Sequence, residues 1–524
     1  MGFKSGSIMN AIPVNHRMRF ATAASIKLQK ARIPAALKLR NFDGAFQKTI
    51  ENEVKHRISL LGATKALLLG ITFSGDRKEN DQAIAEALYN YQQIVLEMPN
   101  RLSPEEFTPT LRQNMLPFTQ GMLSKEDPRN HSEGKFLFAS PKDFLEAFDS
   151  GLQMIKEDGM CGLIPVGGAG TRAAKELPKY GTYANEHGVT AETPRCLYPI
   201  PNTGSTFFGI TANIIKAFGK HVGKVTPLFP MTTSATAGHF ADFVRTSPEA
   251  AEWEEDVLFW NQRVVKRYDV ANATIPLEED YPAGHGDNAI LGYQYGILQA
   301  MKSLGIKLVA SSNSDEFLWY YLYPALISKM NKMEASMFAV AITNANNQMG
   351  GFFGNDQLVE TPRIPFSYIR TGKAPEVLNS TFYGMKVDTL IKGAEAMQDA
   401  PRILNLVTKA VWIKSGEQKK LINMIGLDSW MGDEFSQMTL AGDGKFTVWE
   451  SPRNLFLGMK GPQQVADHKP QTFLGGSSYS EFYTMMAHKV RSVLLILLGQ
   501  DRQAKEKLAE QLFRNNFELM NVKL

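Results

Sequence analysis

The chain has 524 residues, long enough for two or three domains around a substantial core. Hydrophobic residues make up 44% and charged residues 21%, the balance of a soluble globular protein, which excludes a disordered or fibrous chain. The net charge of +4 hides an asymmetry: residues 1–40 hold eight basic side chains (Lys4, Arg17, Arg19, Lys27, Lys30, Arg32, Lys38 and Arg40) and no acid, so residues 41–524 sum to −4 and a general nucleic-acid binder is excluded.

The basic leader reads as an organelle transit peptide, a membrane-surface helix or a solvated tail. No secretory signal or transmembrane segment is visible: the most apolar early stretch, 60–73, carries Lys65 near its centre and is too short to span a bilayer. Up to residue 155 the pattern is that of a helical N-terminal domain, with helices expected at 43–61 and 81–96. Two cysteines, Cys161 and Cys196, give neither a disulfide framework nor a zinc pattern, so a reducing, cytoplasmic compartment is expected.

From about residue 156 short β-rich runs alternate with helical ones. Strands are expected at 163–166, 196–200, 225–231, 307–311 and 335–342, and helices at 210–218, 239–244 and 289–304. Such alternation specifies an α/β core over 156–385, a Rossmann-like, mostly parallel sheet with helices on both faces, whose ligands sit outside the carboxyl ends of the strands. Residues 386–524 read as a mostly helical C-terminal domain with one strand at 445–449.

Five polar clusters follow these strands. Val166-Gly167-Gly168-Ala169-Gly170-Thr171-Arg172 is a glycine turn whose missing side chains let backbone N–H groups approach a phosphate or nucleotide, with Arg172 adding a planar cation. It lacks the P-loop spacing and fits the dinucleotide fingerprint only loosely, as Gly168-x-Gly170-x-x-Ala173. Pro194-Arg195 puts a fixed cation at the start of the next strand, and Lys179, nearer the loop, competes for that role. Gly284-His285-Gly286-Asp287 suits close backbone approach with an imidazole donor or acceptor, or a plain turn. Ser312-Asn313-Ser314-Asp315 places a carboxylate at a strand end, a magnesium ligand or a helix cap. Asn346-Asn347-Gln348-Met349-Gly350-Gly351, followed by Glu360, suits sugar hydroxyls or a hairpin turn.

In this order the clusters resemble the UDP-glucose pyrophosphorylase family of eukaryotic-type UDP-sugar pyrophosphorylases, over residues 161–460. Residues 228–236 are similar to its Met-Thr-Ser segment and Phe259-Trp260-Asn261-Gln262 to its Phe-x-x-Gln. Leu378-Asn379-Ser380-Thr381 resembles its Phe-Asn-Thr, and 455–460 its Arg-Phe-x-Pro-Val-Lys. The resemblance implies a nucleotidyltransferase-type sheet and transfer of a uridylyl group from UTP to a hexose 1-phosphate, most simply glucose 1-phosphate, with Mg²⁺ as cofactor. It implies that Gly167, Gly168, Ala169, Gly170 and Gln262 hold uracil with Gly286 nearby, and that Asp315 binds Mg²⁺. By the same resemblance His285, Asn313, Gly351, Glu360 and Asn379 face the sugar phosphate, while Arg172, Arg195 and Lys460 supply positive charge.

The chain departs from the family where Pro194-Arg195 replaces Pro-Lys, an exchange that keeps charge but not ammonium geometry. The β-rich tail of the UDP-glucose enzymes is not evident either. Gly-His-Gly-Asp points to hexose rather than N-acetylhexosamine 1-phosphates. Two other readings stay open: a degenerate nucleotide-sugar-binding regulator or scaffold, and a nucleotidyltransferase with a different acceptor.

Overall fold

Residues 160–165 are apolar without alternation, the pattern of a strand covered on both faces, and Met160–Pro165 (β1) is the central strand of the fold. The computed structural model describes residues 137–168, 193–233, 236–251, 256–262, 284–314, 316–343, 377–397, 430–451 and 479–524, with shorter pieces at 20–22, 130–131, 253, 264–265, 268–269, 281–282, 351–354, 357–359, 405–415 and 418–428. The other sheet strands are Leu228–Thr232 (β2), Leu258–Asn261 (β3), Leu308–Ser311 (β4), Met337–Thr343 (β5), Val377–Lys386 (β6) and Phe446–Ser451 (β7). Their spatial order is β3-β2-β1-β4-β6-β5-β7, with Phe20–Thr22 added at the β3 edge and Asn130–His131 at the β7 edge. All neighbouring pairs of the seven are parallel except the two made by β6, which opposes both β4 and β5. The expected mostly parallel sheet is present.

The helices are Pro141–Asp158 (α1), Phe207–Val222 (α2), Ala237–Thr246 (α3), Asp287–Gln294 (α4), Ile297–Ser303 (α5), Tyr323–Lys332 (α6), Val387–Ala396 (α7), Met431–Ala441 (α8), Tyr479–Leu498 (α9) and Arg502–Arg514 (α10). They cover the sheet on both faces, and the alternation along each strand feeds two separate cores. Met160 and Ile164 of β1 and Phe338 of β5 join Phe144 of α1, Phe218 of α2 and Val490 of α9. Cys161 and Leu163 of β1 and Met337 of β5 join Leu291 of α4, Met301 of α5, Leu390 of α7 and Phe435 of α8. Among the described residues no helix is long and apolar enough to cross a membrane.

Several elements depart from the sequence reading. The strand expected at 196–200 is a 3₁₀ turn, Arg195–Leu197, leading into Pro199–Ile200, which pairs only with Ser205–Thr206. Pro194, Pro199 and Pro201 remove the N–H groups that a longer ladder needs. The helix expected at 289–304 is broken into α4 and α5 because Gly296 takes the left-handed conformation, φ 79°. In the segment read as a mostly helical C-terminal domain, Asn405–Ser415 and Gln418–Asp428 form an antiparallel hairpin, and β7 is built into the central sheet. The sheet therefore extends past the boundary placed at 385. The helices expected at 43–61 and 81–96, and most of the basic leader, lie outside the described residues.

Two helix starts show how local chemistry anchors the layer beside the sheet. Ser140 caps α1 by accepting from Asp143 N at 3.1 Å, and Asp143 in turn accepts from Ala139 N at 2.8 Å, a reciprocal cap with Pro141 in the first turn. Further along α1, Gly151 lies against the Pro324 backbone of α6, where any Cβ would collide with the Pro324 carbonyl. At α2, Thr206 caps Gly209 N at 3.0 Å and the half-buried Glu249 carboxylate accepts from Thr206 N at 3.2 Å and Asn213 Nδ2 at 3.2 Å. Gly209 has no side chain because the Glu249 carboxyl occupies the space a Cβ would take.

Gly151→Ala should destabilise by about 1–3 kcal/mol, as overpacking at a rigid backbone contact does, lowering the urea midpoint with an unchanged slope. Burial pushes the Glu249 carboxyl up to about 7, the bonds from Thr206 and the charge of Arg491 offsetting only part of the desolvation. A carboxyl raised on folding holds its proton more tightly in the native state. Its contribution is therefore fully present below the unfolded value of 4.5 and is lost as pH rises through about 7. Glu249→Gln should flatten that part of the stability-versus-pH curve, measured by urea unfolding between those limits.

Candidate functional site

The chain leaves β1 for β2 and β3 on one side and returns to β4 on the other, so the topological switch point lies between β1 and β4. An open α/β sheet forms its ligand crevice there, outside the carboxyl ends. Gly167 and Gly168 follow β1 directly, and Asn313 follows β4.

The β1 side is built by mutual packing of three strand ends. Val166 N donates to Met231 O at 2.8 Å and Gln262 N to Thr232 O at 2.8 Å. Thr233 Oγ1 donates to Gly167 O at 3.4 Å, while Thr233 N donates to Thr236 Oγ1 at 2.9 Å, which fixes the turn after β2. A Cβ on Gly167 would collide with Gln262 Nε2 and come within 2.6 Å of Thr233 Cγ2, whereas one on Gly168 would meet no atom within 4 Å among the described residues. Gly167 thus lets the Gln262 amide lie against the loop. Gln262 is only 4% exposed, and among the described residues its Oε1 has no hydrogen-bond partner. The Arg195–Leu197 turn is joined to the residue before the loop through Cys196, whose Sγ donates to Val166 O at 3.7 Å, and its Arg195 is half-buried.

On the β4 side Ser311 Oγ donates to Leu163 O at 2.5 Å and lies 3.1 Å from Met431 Sδ. Asn313 O accepts from Glu316 N at 3.0 Å, closing the turn that carries residue 315. The Gly284–Gly286 turn leads into α4, and its His285 Nδ1 accepts from Met431 N, the first residue of α8, at 2.9 Å. At β6 the pairing with β5 slips between Ala339 and Ala341, and Thr381 is held at φ 67°. Asn379 organises this bulge: its N donates to Gly351 O at 2.9 Å, its Oδ1 accepts from Thr381 N at 2.9 Å, and its Nδ2 donates to Tyr383 OH at 2.6 Å.

The structure therefore brings together Gly167 with Gln262 and Gly351 with Asn379, and sets the turn that begins at Arg195 beside Val166 through Cys196. Its own bonds commit the Asn379 side chain to shaping the bulge. Ala169, Gly170, Arg172, Lys179, Asp315, Glu360 and Lys460 lie outside the described residues. The sequence reading did not single out Met431, Ser311 or Thr381 for the site. Nothing local marks Met431 or Ser311, because each acts through a neighbour distant in sequence; Thr381 closes the Leu378–Thr381 motif, but its left-handed backbone carries no sequence sign. Thr233 carried a signal, the polar Thr232-Thr233 pair closing an apolar strand. Among the described residues no group of three or more His, Cys, Asp or Glu side chains could hold a metal ion.

No family model matches the chain, and no curated protein matches it in sequence. Among solved structures it is similar to the uridine diphosphate N-acetylglucosamine pyrophosphorylase of Trypanosoma brucei in complex with an inhibitor, at 15% identity and a TM-score of 0.55, over 90% of each chain. It also matches the UDP-glucose phosphorylase of Trypanosoma brucei at 19% identity and a TM-score of 0.46, over 59% of this chain and 63% of that one. A UDP-glucose pyrophosphorylase of Leishmania major matches at 16% identity and a TM-score of 0.44, over 58% and 64%. Only the first exceeds a TM-score of 0.5, and it establishes the shared fold: a mixed, mostly parallel nucleotidyltransferase-type sheet between helices.

A β-branched residue in the left-handed region is strained by about 1–2 kcal/mol, more than glycine loses in backbone freedom. Thr381→Gly relieves that strain but gives up a buried side chain whose Oγ1 donates to Ser380 O, so its urea midpoint should correspond to a stability within about 1 kcal/mol of the parent.

Proposed function

We propose that this chain is a UTP-dependent uridylyltransferase, forming a UDP-hexose and pyrophosphate from UTP and a hexose 1-phosphate, most simply glucose 1-phosphate. The observation that carries this reading is the Gln262 amide, buried against Gly167 with no partner for its carbonyl oxygen among the described residues. Uracil presents an N–H donor beside a carbonyl acceptor, and a carboxamide is their complement, one acceptor beside one donor. The fold shared with a UDP-sugar pyrophosphorylase supports it.

In this reaction an oxygen of the sugar phosphate attacks the α-phosphorus of UTP in line. The bond to the β-bridging oxygen breaks, and pyrophosphate leaves with the electron pair. No protein nucleophile is needed; positioning and charge dispersal suffice. Gly167 and Gln262 orient the base, and Gly168 opens the loop backbone toward the phosphates. Arg195, Arg172 and Lys460 supply positive charge, as the sequence resemblance assigns them; of the three, Arg195 lies among the described residues. Asp315, which follows β4 in the sequence, is the hard carboxylate that the resemblance assigns to Mg²⁺ shared with substrate phosphates. Mg²⁺ bound there would neutralise phosphate charge.

The hexose preference rests on Gly284-His285-Gly286-Asp287. Pyrophosphate release from UTP, measured with a panel of hexose and N-acetylhexosamine 1-phosphates, tests both levels. Turnover of only N-acetylhexosamine 1-phosphates overturns the sugar assignment. UTP binding without turnover of any sugar overturns the enzyme and leaves a nucleotide-binding regulator. Gln262→Leu should weaken UTP binding roughly 10- to 100-fold by calorimetry, the worth of a buried amide pairing, while the thermal midpoint stays near that of the parent. Asp315→Asn should abolish turnover and keep UTP binding; surviving activity would remove Asp315 from the metal assignment.

A further inference from the structure

Soon after β4 the chain passes through Tyr320, Tyr321 and Tyr323, all fully buried in the core that β1 shares with α1, α2 and α9. Their hydroxyls are not equivalent. Tyr321 OH and Tyr323 OH have no hydrogen-bond partner among the described residues, whereas Tyr320 OH lies 3.1 Å from Ser312 Oγ. Ser312 immediately follows β4, and Tyr320 opens the 3₁₀ turn Tyr320–Leu322 that leads into α6.

Counting hydrogens sets the direction of that bond. Ser312 Oγ also lies 2.8 Å from Asn313 O and 3.5 Å from Glu316 O, which can only accept. One hydroxyl hydrogen cannot serve a carbonyl and a second hydroxyl together, so the serine donates to the carbonyl side and accepts from Tyr320. Burial pushes the tyrosine hydroxyl above its ordinary range, which keeps its proton in place for donation. The relay thus runs from Tyr320 through Ser312 to Asn313 O. That oxygen also accepts from Glu316 N at 3.0 Å, the bond that closes the turn. Both hydroxyl-bearing residues are fully buried, so neither can turn to bulk water when the other is removed.

The Tyr320 ring meets a second edge of the crevice. It packs edge-on against Phe382, with ring centroids 5.0 Å apart and planes at 81°. Phe382 follows the left-handed Thr381 directly, and its N donates to Ser380 Oγ at 3.3 Å inside the β6 bulge. The antiparallel register that sets Ser311 opposite Tyr383 brings the end of β4 beside that bulge. One side chain therefore touches both, its hydroxyl the turn after β4 and its ring the strained part of β6.

The geometry points to Tyr320 as a positioning residue that acts through Ser312 to fix the turn carrying Asn313, and through Phe382 to keep that turn seated beside the β6 bulge. Its consequence for catalysis rests on the uridylyltransferase reading, in which the resemblance turns Asn313 toward the sugar phosphate; the fixed turn does not. A turn already ordered by buried bonds loses no freedom when the sugar phosphate arrives. Loss of the relay should therefore fall on use of the sugar phosphate and spare the base site at Gln262.

Hydrogen exchange of the full chain, followed by mass spectrometry on peptides spanning residues 312–317, reads the turn without any substrate. Tyr320→Phe deletes the hydroxyl and keeps the ring; it should raise exchange there roughly 5- to 10-fold, the worth of one buried hydrogen bond. Ser312→Ala should do the same, and the double variant should go little further, because both break one relay. Tyr321→Phe and Tyr323→Phe remove hydroxyls outside the relay and should leave exchange and turnover at parent values. With UTP and a hexose 1-phosphate, Tyr320→Phe should lower kcat/KM for the sugar phosphate by a similar factor, while UTP binding by calorimetry stays within about two-fold of the parent. Parent-like exchange in Tyr320→Phe or Ser312→Ala overturns the inference, as does an equal rise in Tyr321→Phe, the sign of a generally loosened core. Raised exchange with unchanged sugar-phosphate kinetics overturns the positioning role. If Tyr320→Phe does not fold, Ser312→Ala tests the relay from its other end. Absence of turnover with every sugar phosphate defeats the proposed activity and leaves the exchange result standing.

Discussion

The parallel pairing of β1 with β4 is the constraint on which the rest of the molecule depends. Leu308 pairs with Met160 and Ala310 with Gly162, and Ser311 at the end of β4 donates across to Leu163 O. Because helices bury both faces, no polar side chain can emerge from the body of the sheet without losing its hydrogen bonds to water. Polar chemistry is thus driven to the carboxyl edge, and the switch in chain direction opens a crevice at this one pair. Gly162 shows how tight the frame is: a Cβ there would press on Ile215 of α2 and Leu228 of β2, so the central strand and its covering helix are locked together directly below the loop.

The reversal of β6 has a different consequence. An antiparallel strand inserted among parallel ones begins where its neighbours end, so the start of β6 delivers Asn379 to the same edge as the glycine loop. Thr381 pays a backbone penalty there, and the bulge survives because Asn379, Tyr383 and the Ser380 hydroxyl, which donates to Val340 O at 2.6 Å, each fix part of it. A strained residue that its surroundings hold in place is a common mark of a functional edge.

What could be read from the sequence follows the range of the physics involved. The β1 run is local: Met160–Pro165 overlaps the expected 163–166, and Gly167 and Gly168 follow it, while residues 169–172 of the turn lie outside the described residues. The Gly167–Gln262 contact was reachable only because a family resemblance named both; spacing alone does not join residues 95 positions apart. The strand expected after Arg195 failed on local grounds, since three prolines in eight residues deny the ladder its donors. The placement of β7 in the central sheet, and the bond from Met431 to His285, depend on tertiary pairing, for which no periodicity gives a sign.

The polar groups of the described crevice also explain why a stable fold tolerates them. The unpaired Oε1 of Gln262 and Oδ1 of Asn288 each cost about 1–3 kcal/mol relative to a satisfied acceptor. That cost is a sizeable fraction of the net stability of an ordinary domain. Two buried acceptors left open at one edge are poor design for stability alone and sensible design for binding, since a ligand donor that reaches one of them recovers its desolvation penalty on association. A neutral acceptor of this kind also discriminates by direction. It rewards an N–H and is indifferent to charge.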